Sequence, residues 1–259
     1  MENEFHGRVR AVDRAMVLLE AIGGSDGGNR LVDLASRTGM SPSTVHRLLT
    51  TLEHRKFVQF NPTDGLWHVG RQAFAIGSAF MRERNFVAPA LPLLKRLRNQ
   101  TRETVNLGVV EEGEIVVINQ VESREIGRSI SRVGGHAPMS ASGMGKAVLA
   151  SYSTEEISAV IATHGMRRMT TKSLTRRPSL EAELLTIRQT GYAVDDEELM
   201  PGLRCVASAV YNDQAQVLCA VSISGLPSRI STERVPVLGR LVAATARELT
   251  LSLGGAVPV

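Results

Sequence analysis

Ser43, Thr44, His46, Arg47 and Thr50 fall within one short segment, and hydroxyl, imidazole and guanidinium groups are the types that reach base edges and phosphates in a DNA groove. Val45, Leu48, Leu49 and Leu52 recur between them at helical spacing, so the polar set occupies the faces that an apolar stripe leaves free. Arg47 is the principal reader on this expectation. A second group, Ser140-Ala141-Ser142-Gly143-Met144-Gly145-Lys146, places a hydroxyl and small residues where a helix begins. Open backbone N–H groups and the positive end of the helix dipole there suit a carboxylate. Two rival chemistries fail on residue identity. A phosphate-binding loop needs glycine and a hydroxyl residue where the chain has Ser140 and Ala147, and a serine-lysine hydrolase needs serine where it has Gly143. A capped helix start with glycines for close packing is the alternative reading of this segment.

The elements that must position the first group are specified locally. Leu31, Leu34 and Ala35 mark a helix, Gly39 ends it with the left-handed backbone that a tight turn needs, and Ser41-Pro42 restarts the chain as N-cap and first helical residue. Phe57 to Phe60 and Leu66 to Val69 read as two short strands around the turn formers Asn61-Pro62-Thr63-Asp64-Gly65. Upstream, Val12, Ala15, Met16, Leu18, Leu19 and Ile22 give an amphipathic covering helix, and Gly23 to Asn29 a loop. The sum is a winged helix-turn-helix domain. An ordinary helical hairpin with a solvated polar face is the alternative.

Arg71 to Asn85 and Phe86 to Thr101 carry helical patterns that read as a connector. From Thr104 the pattern becomes strand-rich, with Val105 to Val110 and Glu114 to Val121 joined at Glu112-Gly113. Ser142 to Tyr152, Glu155 to His164, Ser179 to Thr190 and Thr232 to Leu253 read as helices, and Val206 to Tyr211 and Gln216 to Ser224 as strands. The fold class expected is α+β, with a winged helix-turn-helix and linker helix over residues 1–84 and an antiparallel-sheet domain over residues 85–259.

Composition narrows the classes. With 259 residues and a mean hydropathy of -0.02, the chain has room for two domains and carries no apolar run of membrane-spanning length or secretory signal, so the cytoplasm is expected. Cys205 and Cys219 lack metal-ligand spacing, the six histidines are scattered, and neither a metal nor another cofactor is expected. The net charge of +4 favours an anionic partner. Residues 1–84 hold eleven Arg and Lys against nine Asp and Glu, so the case for DNA rests on geometry more than on bulk charge.

Four segments in order carry a family resemblance: Ser43 to Leu49 (STVHRLL), Pro138 to Ala150 (PMSASGMGKAVLA), Gly191 to Val210 (GYAVDDEELMPGLRCVASAV) and Ala220 to Ile230 (AVSISGLPSRI). Over roughly residues 9–254 the chain resembles the IclR family of bacterial transcription regulators. The resemblance implies a winged-helix domain that binds double-stranded operator DNA, a linker helix with dimer contacts, and a GAF-like domain that binds a small effector. It also implies homodimers, often paired into tetramers, and repression as the mode of control. In relatives that sense small oxo-acids, ligand meets the backbone amides matching Gly143 and Met144 and the side chains matching Asp195, Cys205, Ser222 and Ser224.

Met144 departs from the alanine of small-acid sensors, and the apolar lid positions correspond to Ile126, Ser129 and Ala137. Glyoxylate-like and ureide-like acids are first candidates, while aromatic and sugar acids are sensed elsewhere in the family. Without the resemblance, Asp195 to Glu198 reads as a solvated acidic loop, Cys205 as a small buried residue and the serines as ordinary sheet positions. A hydrolase or transferase using Cys205 is the alternative from another class, although Leu203-Arg204-Cys205-Val206-Ala207 lacks a glycine-flanked elbow. A purely structural dimerisation module is the third.

Overall fold

Gly39, with φ 66°, turns the chain from α2 (Leu31–Thr38) into α3 (Pro42–His54) in the computed structural model, which describes residues 9–25, 27–82, 85–124 and 132–258. Ser41 caps α3 by accepting the Thr44 N–H at 3.3 Å, and Pro42 occupies the first helical position. The covering helix α1 spans Arg10–Gly23. Its expected stripe is only partly buried: Leu18 and Ile22 are sealed in its C-terminal half, whereas Val12 and Met16 are exposed. Leu18 and Ile22 join Leu34, Ala35, Val45, Leu49, Leu52, Val58 and Trp67 in one core, with Leu31 and Leu48 half-buried at its margin. Each sealed leucine or isoleucine contributes about 1.5–3 kcal/mol relative to exposure.

Strands β1 (Val58–Asn61) and β2 (Leu66–Val69) pair antiparallel from Val58↔Val69 to Asn61↔Leu66. Asp64 Oδ1 accepts the Leu66 N–H at 2.9 Å and Gly65 takes φ 71°, which closes the turn. Asn29 bridges to Trp67 and tethers the loop before α2 to this wing. A Cβ on Gly70 would lie 2.4 Å from the Lys56 carbonyl oxygen, so only glycine lets the wing return to the end of α3. Helix α4 (Arg71–Arg82) follows and leaves Phe74, Ile76 and Phe80 exposed.

The chain divides into two compact units, Met1–Arg84 and Asn85–Val259. In the second, six antiparallel strands run in the order β5-β4-β3-β8-β7-β6. They are β3 (Thr104–Glu111), β4 (Glu114–Val121), β5 (His136–Pro138), β6 (Ala193–Asp196), β7 (Arg204–Tyr211) and β8 (Val217–Gly225). Both edge strands, β5 with three residues and β6 with four, lie outside the strands expected from sequence, because neither short run is marked by a hairpin turn of the kind that marks the wing. A bulge between Leu107 and Gly108 interrupts the β3–β4 register. Helices α5 (Val87–Thr101) and α9 (Val235–Ser252) pack together against β3, β7 and β8.

The first turn of α6 (Gly143–Leu149) is preceded by a 3-10 turn, Met139–Ala141. This helix is shorter than its sequence pattern and contacts β4, β6, β7 and β8, with α7 (Thr154–His164) and α8 (Arg177–Thr190) completing the layer. A Cβ on Gly145 would meet the Met139 backbone at 2.3 Å, so glycine permits the helix to lie against the 3-10 turn. No helix among the described residues is long and apolar enough to cross a membrane.

Candidate functional site

Ser43, His46, Arg47 and Thr50 stand exposed on α3, and Thr44 is half-buried beside them. The capping Ser41 hydroxyl lies 3.1 Å from that of Ser43 and 2.9 Å from that of Thr44, making a hydroxyl cluster at the helix start. Thr50 donates to the His46 carbonyl at 2.9 Å, which engages its proton and leaves its oxygen as an acceptor. Thr44, His46, Arg47 and Thr50 line one groove with Ala11 and Arg14 of α1. Arg14, a cation beside Arg47, was not among the residues read from the sequence.

In the second unit, sheet register gathers residues distant in sequence. Asp195 pairs with Cys205, Cys205 with Ser224, and Ser222 with Asn106, which sets a polar row across β6, β7, β8 and β3. The start of α6 stands over this row: a Cβ on Gly143 would lie 3.5 Å from the Cβ atoms of Cys205 and Ala207 and 3.6 Å from that of Asp195. Gly143, Met144, Asp195, Cys205, Ser222 and Ser224 all line a single cavity of about 350 Å³. Asn106, Arg132, His136, Leu199 and Met200 share its wall. The Ser142 hydroxyl caps the helix by accepting the Gly145 N–H at 3.1 Å, leaving the Gly143 and Met144 N–H groups at the open first turn.

Hydrogen-bond polarity along the row is set by an amide relay. Gln120 Nε2 donates to Asn106 Oδ1 at 2.8 Å, and Asn106 Nδ2 donates to Ser224 Oγ at 2.9 Å and Ser222 Oγ at 3.4 Å. Each serine oxygen thus accepts from the amide, and its own proton is directed elsewhere. The Cys205 thiol lies 3.2 Å from the Ser224 hydroxyl. Neither Asn106 nor Gln120 was singled out in the sequence, although an amide within the apolar run Val105 to Val110 was the available signal.

Asp195 is fully buried, and its Oδ1 accepts the N–H groups of Glu198 at 2.7 Å and Leu199 at 3.3 Å. Its Oδ2 accepts no conventional hydrogen bond among the described residues. Burial pushes the carboxyl up to about 6 against the opposing pull of those N–H groups and of Lys146. Burial, reinforced by Asp195, pushes the Cys205 thiol up, the opposite of what an activated nucleophile requires.

Lys146 is sealed and gathers three partners: the carboxylates of Glu183 and Glu198, and the Val194 carbonyl at 2.6 Å. Burial raises Glu198 to about 7 despite this ammonium. The solvated-loop reading of Asp195 to Glu198 is thereby overturned: Asp195 and Glu198 point inward, held by backbone N–H groups and Lys146, while Asp196 pairs with Arg204 and Lys172 at the surface. Of the lid positions, Ala137 is buried in the cavity wall, and Ile126 and Ser129 lie outside the described residues.

Two family descriptions match the chain, "IclR helix-turn-helix domain" over residues 11–62 and "Bacterial transcriptional regulator IclR C-terminal" over residues 78–251. The Acetate operon repressor of Salmonella typhimurium is 40% identical over 251 residues, spanning 96% of this chain and 92% of that protein. The chain belongs to the IclR family of bacterial transcriptional regulators. Transcriptional repressor IclR of Escherichia coli is 38% identical to this IclR-family chain over 251 residues, 96% of this chain and 92% of the relative. The crystal structure of the Thermotoga maritima IclR superposes with a TM-score of 0.80 at 26% identity, covering 95% of this chain and all of the other. The helix-turn-helix domain of this family of DNA-binding regulators covers residues 11–62, a span that includes α2 and α3.

Proposed function

We propose that this IclR-family chain is a repressor whose operator affinity is set by a small carboxylic acid bound in the cavity of the second unit. The observation that carries the reading is the convergence of six residues from α6, β6, β7 and β8 on one buried polar row. The acid's carboxylate meets the Gly143 and Met144 N–H groups and the Ser222 and Ser224 hydroxyls, while Asp195 Oδ2 takes a hydroxyl or other donor of the ligand. Residues 1–84 serve as the DNA-binding domain with its linker helix, and residues 85–259 as the effector-binding and oligomerisation domain.

On DNA, Arg47, Thr44 and Ser43 read base edges, with His46 and Thr50 completing the face. Homodimers or tetramers place two such faces on a pseudopalindromic operator in the cytoplasm. No catalysis is assigned, since a buried, protonated Cys205 supports a wall rather than a nucleophile. Failure of a thiol-directed probe to label native Cys205 is the outcome expected; rapid labelling favours the enzyme alternative.

Fluorescence anisotropy on the intergenic DNA beside its own gene, against scrambled DNA, tests the reading with and without a panel of small carboxylic acids. Specific binding that one acid shifts is expected. Equal affinity for both DNAs, repeated on selected DNA libraries, overturns the operator assignment, and specific binding that no acid shifts overturns the effector assignment. Replacing Arg47 by alanine is expected to weaken operator binding by about 1–3 kcal/mol and leave acid binding unchanged.

A further inference from the structure

Strand alternation on β3 puts Asn106 and Gly108 on the same face, so the glycine lies one step along from the polar row. It pairs with Ala220 on β8 and with Val117, itself part of the cavity wall, on β4. A Cβ on Gly108 would stand 2.9 Å from Met144 Sδ, 3.1 Å from Met144 Cε and 2.9 Å from Ile115 Cγ2. The Met144 thioether therefore rests against the β3 backbone, where a Cβ at position 108 would force it or Ile115 to shift. Met144 is buried there in one apolar cluster with Ile115, Val117, Ala137 and Met139. Val117, Ala137 and Met144 also wall the cavity. The apolar end of the cavity is thus closed in part by an unbranched side chain with several accessible rotamers.

We propose that Met144, seated over Gly108, is a specificity-determining residue that limits the length of the acid the cavity accepts. This rests on the carboxylic-acid reading of the cavity. The backbone N–H of Met144 and its side chain then have separate tasks, one at the ligand's charged end and one at its far end. Shortening the side chain opens the apolar end toward Ile115 and Gly108 without touching the polar row. Adding a methyl at Gly108 displaces the thioether from its slot and pushes it toward the bound acid. Opposite effects of the two substitutions are the signature of this arrangement, since a general loss of packing weakens all ligands alike.

The test is calorimetric titration of the full-length protein with straight-chain 2-oxo acids from glyoxylate to 2-oxohexanoate. The parent, Met144→Ala, Gly108→Ala and the double variant are compared, with Met144→Val as the milder truncation should the alanine variant not fold. Expected is a preference in the parent for short acids, with about tenfold or more lost per misfitting methylene. Met144→Ala shifts the optimum to longer acids, Gly108→Ala weakens binding more steeply the longer the acid, and the double variant resembles Met144→Ala. A parent and truncated variant with the same length preference overturn the inference alone. Absence of binding to every protein overturns the carboxylic-acid reading and this inference with it. Thermal unfolding of the same proteins reads the slot without ligand: Gly108→Ala is expected to lower the midpoint less when Met144 is alanine, and strictly additive shifts overturn the packing on which the inference stands.

Discussion

Asp195 ties the stability of the second unit to the chemistry of its cavity. A carboxyl held at about 6 in the fold, against an ordinary value of 3.8, binds its proton more tightly folded than unfolded. Stability from this group is therefore present at low pH and is lost as pH rises from about 4 through about 6, a cost on the order of 3 kcal/mol once ionised. Asp195→Asn preserves an acceptor for the Glu198 and Leu199 N–H groups and removes the charge. Thermal unfolding across pH is expected to show this variant more stable than the parent at pH about 8, with the difference fading below pH about 4. A gain that persists unchanged in acid would assign the effect to packing instead of ionisation. The same substitution turns Oδ2 into a donor, so a ligand hydroxyl donating to Asp195 is expected to bind at least tenfold more weakly.

Helices and strands differ in how openly the sequence declares them. The α2–α3 turn was legible because its causes are local: Gly39 supplies the left-handed backbone, Ser41 the cap and Pro42 the first helical residue. The wing was legible for the same reason, through Asn61 to Gly65. Asp195, Cys205, Ser222 and Ser224 come together only through pairing of β6, β7 and β8, which no local pattern reveals, and family resemblance alone pointed to them. Lys146 was visible as a residue but not as an anchor, because its partners arrive from α8, β6 and the loop after β6. That anchor yields an element-scale prediction. Lys146→Met leaves Glu183 and buried Glu198 without their cation and is expected to destabilise the second unit by about 3–5 kcal/mol in denaturant unfolding. Adding Glu198→Gln is expected to recover part of the loss, whereas additive losses would deny the coupling.

Across the whole chain, the two proposed binding events should answer differently to salt. Operator binding releases counterions from phosphates, so a roughly thousandfold or greater loss is expected between about 50 and about 200 mM salt. Acid binding in a buried cavity is expected to change far less, and equal salt slopes would separate the cavity from the ligand assigned to it. Coupling between the sites is reciprocal: an acid that weakens operator binding must itself bind less tightly to the DNA-bound protein, by the same factor. The three residues of β5 and four of β6 add a constraint on how copies of this chain can meet. Stubs of that length offer too few open N–H and C=O groups to template another strand, and Pro138 removes one donor from the β5 edge. Such short edges give a foreign strand little to pair with along β5 and β6, which disfavours growth of the sheet from one molecule into the next through those two strands.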